Sequence, residues 1–176
     1  MHRQSLPITR LIRIGGVGKA ELLARLQAAG VELNDAGRTL FAHDRFTTSA
    51  HSALLETLED EVAGFGFPQG ALLSQIIERA AGLGLAPCAL QLGPHLRLQT
   101  LDQAEGFVGQ PASSHRAPPG SITIVTAPYE DLDQPQGFYL RKISGVPWLR
   151  GYRAGPDHRW QAEDRLIFCR PPRLPP

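Results

Sequence analysis

The hydrophobic period changes part-way along the chain, and this change constrains the fold more than any other feature. In a helix, positions i, i+3 and i+4 share a face; in a strand, positions i and i+2 do. After Lys19, the residues Leu22, Leu23, Leu26 and Ala29 recur at helical spacing, and Gly30 stands where a helix ends, which predicts a helix over 19–29. Asn34 is a good N-cap for a short helix running through Leu40 and Phe41, although Gly37 weakens it. Thr47, Thr48 and Ser49 supply caps for a third helix in which Leu54, Leu55, Leu58 and Val62 make one face and Gly64 the stop. Glu56, Glu59, Asp60 and Glu61 then fall on its solvent side. The stripe Leu72, Leu73, Ile76, Ile77 and Ala80, between Gly70 and Gly82, predicts the fourth and clearest helix.

From Leu85 onward the period shortens to two. Leu96, Leu98 and Thr100 fall on one side, and His95, Arg97 and Gln99 on the other. The stretches 121–126, 137–143, 147–153 and 165–169 are β-branched or aromatic runs bounded by Gly, Pro, Asp or Ser. Ser144-Gly145 is a tight turn between two of them. The expected fold is therefore α+β, with an N-terminal helical segment of about four helices packed on a C-terminal antiparallel sheet, or partly closed barrel, of about five strands. Residues 1–18 read as a flexible lead-in, 19–169 as a single domain, and the Pro-rich 170–176 as an extended tail. The polar Asp102–Gly120 stretch is a long loop, either mobile or functional.

At 176 residues with 42% hydrophobic content, the chain can bury one compact core. Eighteen Lys and Arg against seventeen Asp and Glu leave a net charge of +1, so a charge-driven partner must meet a local patch and not a global field. No run approaches the roughly 20 apolar residues of a membrane helix, and Arg3, Arg10 and Arg13 run through the only apolar part of the opening segment, so a signal peptide is not expected. Two cysteines, Cys88 and Cys169, make no disulfide framework and read as small buried hydrophobes; with them goes a cytoplasmic expectation.

Gly15-Gly-Val-Gly-Lys19 looks like a phosphate loop but fails on spacing, because Arg13 stands where the first glycine belongs and Ala20 where Ser or Thr belongs. It reads as a lead-in to the first helix. The pairing of helices near 19–29 and 35–42 offers only Arg38 and Thr39 to a DNA groove, so ordinary packing is the stronger reading. Six histidines show no metal-ligand spacing, and neither a metal nor a cofactor is expected. His95 or His115 with Asp102 would make a His–carboxylate pair for acid/base chemistry.

Strand alternation places Arg97 with Gln99, Tyr139 with Arg141, and Trp148 with Arg150 and Tyr152, giving one sheet face that interleaves arginines with aromatics. Guanidinium forks take phosphates or carboxylates, and aromatic rings stack planar groups. A binding protein that receives a protein partner or an anionic ligand on this face is the leading expectation. A hydrolase-type enzyme using the His/Asp pair and a nucleic-acid-binding protein are the alternatives. An ordinary solvated face with Arg paired to Asp157, Glu163 or Asp164 remains the plain structural account.

The phrase Gly84-Leu-Ala-Pro-Cys-Ala-Leu-Gln-Leu-Gly-Pro-His-Leu-Arg-Leu-Gln-Thr-Leu-Asp-Gln103, with Trp148-Leu-Arg150 and Trp160-Gln-Ala-Glu-Asp-Arg-Leu-Ile-Phe168, resembles a group of small uncharacterised bacterial proteins. Their recurring phrase is close to Gly-Leu-x-Leu-Cys-Pro-x-Glu-x-Gly-Pro-x-Leu-Arg-Leu-Gln-Tyr-x-Asp-Gln, and some carry a loose helicase label. The resemblance spans residues 19–168. Arg97, Gln99, Asp102 and Gln103 match the phrase, whereas Gln91 replaces its glutamate and Thr100 its tyrosine. Nothing here resembles helicase motifs, and 176 residues cannot hold two nucleotide-binding lobes.

Overall fold

A computed structural model describes residues 6–106 and 117–171. In chain order the elements are β1 (Ile8–Ile14), α1 (Lys19–Ala28), β2 (Glu32–Leu33), α2 (Asp35–Ala42), β3 (Ala53–Glu61), β4 (Ala71–Leu72), α3 (Leu73–Gly82), α4 (Leu92–Gln99), β5 (Ile122–Ile124), β6 (Gly137–Ile143), β7 (Val146–Tyr152), β8 (Arg159–Trp160) and β9 (Arg165–Arg170). Seven strands form one open sheet in the order β1-β3-β9-β5-β6-β7-β2, and β4 pairs with β8 apart from it. The sheet is mixed: β5 runs parallel to β9 and β2 parallel to β7, and the other neighbours are antiparallel.

This overturns the expected division into a helical N-terminal segment and a C-terminal antiparallel sheet or barrel. Helices and strands alternate along the chain, and the sheet does not close. Residues 8–14, within the stretch read as a lead-in, form the edge strand β1. Two further segments change type. The stretch read as a third helix is strand β3, and the stretch read as the first strand is helix α4.

Each change has a physical cause. β3 lies between β1 and β9, and its acidic residues meet arginines across the strands: Glu56 meets Arg170 at 2.7 Å, and Glu59 meets both Arg10 and Arg165 at 2.6 Å. A lone helix would leave those carboxylates in water, whereas the sheet pairs each with a cation. In α4, helical winding sends Leu92 and Leu96 into the core. Pro94 sits in the first turn, where its missing N–H is not needed. Gly93 permits the close approach of α4 to β6, since a Cβ there would lie 2.6 Å from the Phe138 ring.

The core lies in two layers, one on each side of the sheet. On one side α1, α2 and α4 cover Ile12, Ile124, Phe138, Leu140, Leu149 and Ile167. On the other, Ile76 and Ala80 of α3 pack with Leu166, Phe168 and Trp160. Asn34 joins α2 to β7: its Oδ1 accepts from the Gly37 and Gly151 amides at 2.8 Å, and its Nδ2 donates to the Gly151 carbonyl at 3.1 Å. One side chain therefore caps the helix and also prolongs the strand pairing begun by β2. No helix among the described residues is long and apolar enough to cross a membrane.

Arg97 sits at 0% exposure beneath the β6–β7 hairpin. Its Nη1 donates to Gln103 Oε1 at 2.7 Å and to the carbonyls of Trp148 at 3.3 Å and Arg141 at 3.4 Å, and its Nη2 donates to the Thr100 carbonyl. Arg97→Met keeps much of the volume and strands these acceptors. Chemical denaturation should show it less stable by roughly 2–4 kcal/mol, the cost of burying several unsatisfied polar groups; a loss under about 1 kcal/mol would mean that water replaces the guanidinium.

Candidate functional site: the hairpin ladder and the α4 cavity

The β6–β7 register sets Tyr139 opposite Arg150, Arg141 opposite Trp148 and Gly137 opposite Tyr152. Directly opposed residues share a face, so Tyr139, Arg141, Trp148 and Arg150 form one patch on the side away from α4, as strand alternation predicts. Phe138, Leu140 and Leu149 face the helices. Ser144 and Gly145 turn the hairpin with φ values of 51° and 78°, the left-handed pair that a tight two-residue turn requires.

Within the patch, Arg150 Nε donates to the Tyr139 hydroxyl at 2.7 Å, and its guanidinium lies 5.0 Å from the Trp148 ring centre. Two aromatic contacts hold the cation in place. No carboxylate pairs with Arg150 among the described residues. Tyr152 shares the face but belongs to the second core, where it meets Trp160 edge-on at 6.0 Å. Burial raises its phenol well above the ordinary tyrosine range, so it contributes packing and not a polar contact.

His95, Arg97 and Gln99 do not join this patch, because they lie on a helix. His95 Nε2 accepts from the Gly15 amide at 3.1 Å. One turn later Gln99 accepts from the Arg13 amide at 3.1 Å and donates to its carbonyl at 2.8 Å. The two side chains act as a surrogate strand along the outer edge of β1, satisfying groups that an edge otherwise offers to another chain. Arg97 is the internal brace already described; burial pushes it down to about 10 while Asp102 opposes the shift.

The structure does not bring His95 and Asp102 together in a hydrogen bond. His115 lies outside the described residues. Lys19 donates to the His43 carbonyl and stands over Phe46, so the glycine turn before it serves helix α1. The strand β2 separates α1 from α2, which removes the helix-turn-helix arrangement. Cys88 and Cys169 are buried free thiols, and burial drives Cys88 well above the ordinary thiol value. No group of three or more His, Cys, Asp or Glu among the described residues could hold a metal ion.

The chain's tertiary pairing builds one feature that sequence reading missed. Between α4, the loop after it and strands β1, β3, β9 and β5 lies a cavity of about 500 Å³. Arg10, Glu59 and Arg165 line it from the sheet, and Asp102, Gln103 and Glu105 from the loop. The loop is tied to the hairpin turn: Glu105 accepts from the Gly145 amide at 3.1 Å, and the Gly106 amide donates to the Lys142 carbonyl at 2.8 Å. Of the residues that match the bacterial phrase, Leu96, Gln99, Asp102 and Gln103 line this cavity. Comparison with family models, curated proteins and solved structures returns no match for the chain.

Burial, and secondarily the Arg25 charge, lowers the His95 imidazole below its ordinary 6.5. The unfolded chain therefore takes up this proton first as pH falls, so the stability His95 contributes is complete above about pH 6.5 and is lost as pH drops towards its native-state value. Melting temperatures should fall more steeply from about pH 7.5 to about pH 5.5 in the wild type than in His95→Gln, which keeps an acceptor but cannot titrate. Parallel slopes would show that His95 does not govern this range.

Proposed function

We propose that this chain is a binding module whose working surface is the hairpin ladder, and that its ligand is an anion carrying a planar ring, such as a nucleotide. One observation carries this reading: Arg150 is held between Tyr139 and Trp148 with no carboxylate partner among the described residues. A cation fixed by rings loses little conformational freedom when it takes a phosphate, and the half-buried Trp148 ring offers a surface for stacking a planar group. Arg141, opposite Trp148, adds a second guanidinium to the same strip. The two thiols packed unpaired in the core support a reducing compartment, and with it a cytoplasmic location. The resemblance to the small bacterial group includes Arg97, Gln99, Asp102 and Gln103 on α4 and the loop it leads into, and Trp148-Leu-Arg150 on β7, within the ladder.

Trp148 is half-buried and Trp160 is enclosed, so tryptophan fluorescence reports on the ladder. Titration with a nucleoside monophosphate and with a short oligothymidylate should quench it, more weakly at about 200 mM than at about 50 mM salt. Arg150→Ala should weaken binding about tenfold, or ~1.4 kcal/mol. The absence of quenching at low salt by either probe would overturn the reading and favour a protein partner, for which Trp, Tyr and Arg are equally good anchors.

A further inference from the structure

The α4 cavity lies on the opposite side of the sheet from the ladder, and its chemistry is different. We propose that it binds a small zwitterion: a molecule bearing an anionic group and a protonated amine on a short aliphatic frame. Its volume of about 500 Å³ falls within the range of small-molecule sites. Leu96, Ile122 and Ile167 supply apolar wall, which suits a hydrocarbon segment and not a fully polar ion.

The polar groups sort by whether they are already committed. Glu59, 2% exposed, holds Arg10 by one oxygen and Arg165 by the other. Arg165 also approaches Glu61 at 3.6 Å, so its charge is shared between two carboxylates. Arg10 is different. It bonds Glu59 through Nη1 alone, and its Nε and Nη2 have no hydrogen-bond partner among the described residues. A guanidinium anchored by one nitrogen presents a pre-aimed edge to a second carboxylate. On the loop wall, Gln103 is spent on Arg97 and on the Gly120 and Leu140 carbonyls, and Glu105 is spent on Gly145. Asp102 is exposed, and among the described residues it has neither hydrogen bond nor salt bridge, although the buried Arg97 charge lies within its field.

The cavity thus offers one open cationic edge on the sheet wall and one open carboxylate on the loop wall. A simple anion meets the field of Asp102 and Glu105, and a simple amine meets the two arginines. A zwitterion with its charges at opposite ends satisfies both walls, and its aliphatic middle covers the apolar floor.

Saturation-transfer NMR on the full-length protein tests this with leucine, 4-aminobutanoate and 6-aminohexanoate as zwitterions, hexanoate as the anion and hexylamine as the cation. At least one zwitterion should bind at least about tenfold more tightly than either singly charged probe, a difference of ~1.4 kcal/mol. Asp102→Asn, an exposed and isosteric change that spares the fold, should weaken that zwitterion about tenfold and leave hexanoate no weaker. Arg10→Gln should weaken both zwitterion and hexanoate, whereas Arg150→Ala on the opposite face should leave zwitterion binding unchanged. The proposal is overturned if no zwitterion binds at about 10 mM, if the singly charged probes bind equally well, or if Asp102→Asn has no effect.

Discussion

Glu59 is the interaction on which the sheet depends. A carboxylate at 2% exposure is costly to bury unless cations meet it, and here Arg10 from β1 and Arg165 from β9 take one oxygen each. Three strands distant in sequence are thereby fixed in one register, with Ile8 opposite Glu59 and Glu59 opposite Ile167. The same carboxylate forms part of the cavity wall. Replacing it with an apolar residue would strip Arg10 of its carboxylate and leave Arg165 leaning on Glu61 at 3.6 Å, so the identity of position 59 and the shape of the sheet are one problem.

A second constraint sits at α4. Its polar residues are spent inward, which is unusual for a helix next to a sheet edge. His95 and Gln99 supply hydrogen bonds to Gly15 and Arg13 that a further strand would have supplied, and Arg97 reaches carbonyls of the loop and of both hairpin strands. The helix therefore does three things at once: it closes the core with Leu92 and Leu96, blunts the β1 edge, and clamps the loop that forms one cavity wall.

What could be read from the sequence follows from how local each cause is. The β6–β7 hairpin was legible because alternation, a Ser-Gly turn and bounding glycines all act within a few residues, and the ladder of Tyr139, Arg141, Trp148 and Arg150 follows from that alternation. Helices α1, α2 and α3 were legible for the same reason. β3 was not, because Leu54, Leu55, Leu58 and Val62 fit a helix and the arginines that favour a strand lie at 10, 165 and 170. The four acidic residues Glu56, Glu59, Asp60 and Glu61, interleaved with those four apolar ones, were the available hint, since they need cations from elsewhere. α4 was missed because Leu96-Arg97-Leu98-Gln99 alternates by chance; Gly93-Pro94, a pair suited to a first helical turn packed tightly on a neighbour, was the competing signal. The cavity could not be read at all, because its walls come from positions 8 to 167 and exist only once the strand order is set.

The two candidate surfaces share a brace without sharing atoms that touch a ligand. Arg97 binds the backbone carbonyls of Arg141 and Trp148, whose side chains make the ladder on the far face, and also the Thr100 carbonyl and Gln103, next to Asp102 in the cavity wall. A buried guanidinium with several fixed acceptors resists displacement, because moving it strands every acceptor together. A ligand in the cavity that contacts only Arg10 and Asp102 leaves those bonds intact, and so does one that stacks on Trp148. Coupling between the faces would require the brace itself to have a second arrangement, and the close packing of Gly93 on Phe138 leaves α4 little room for one. The two proposed sites would therefore work independently, on opposite sides of one sheet.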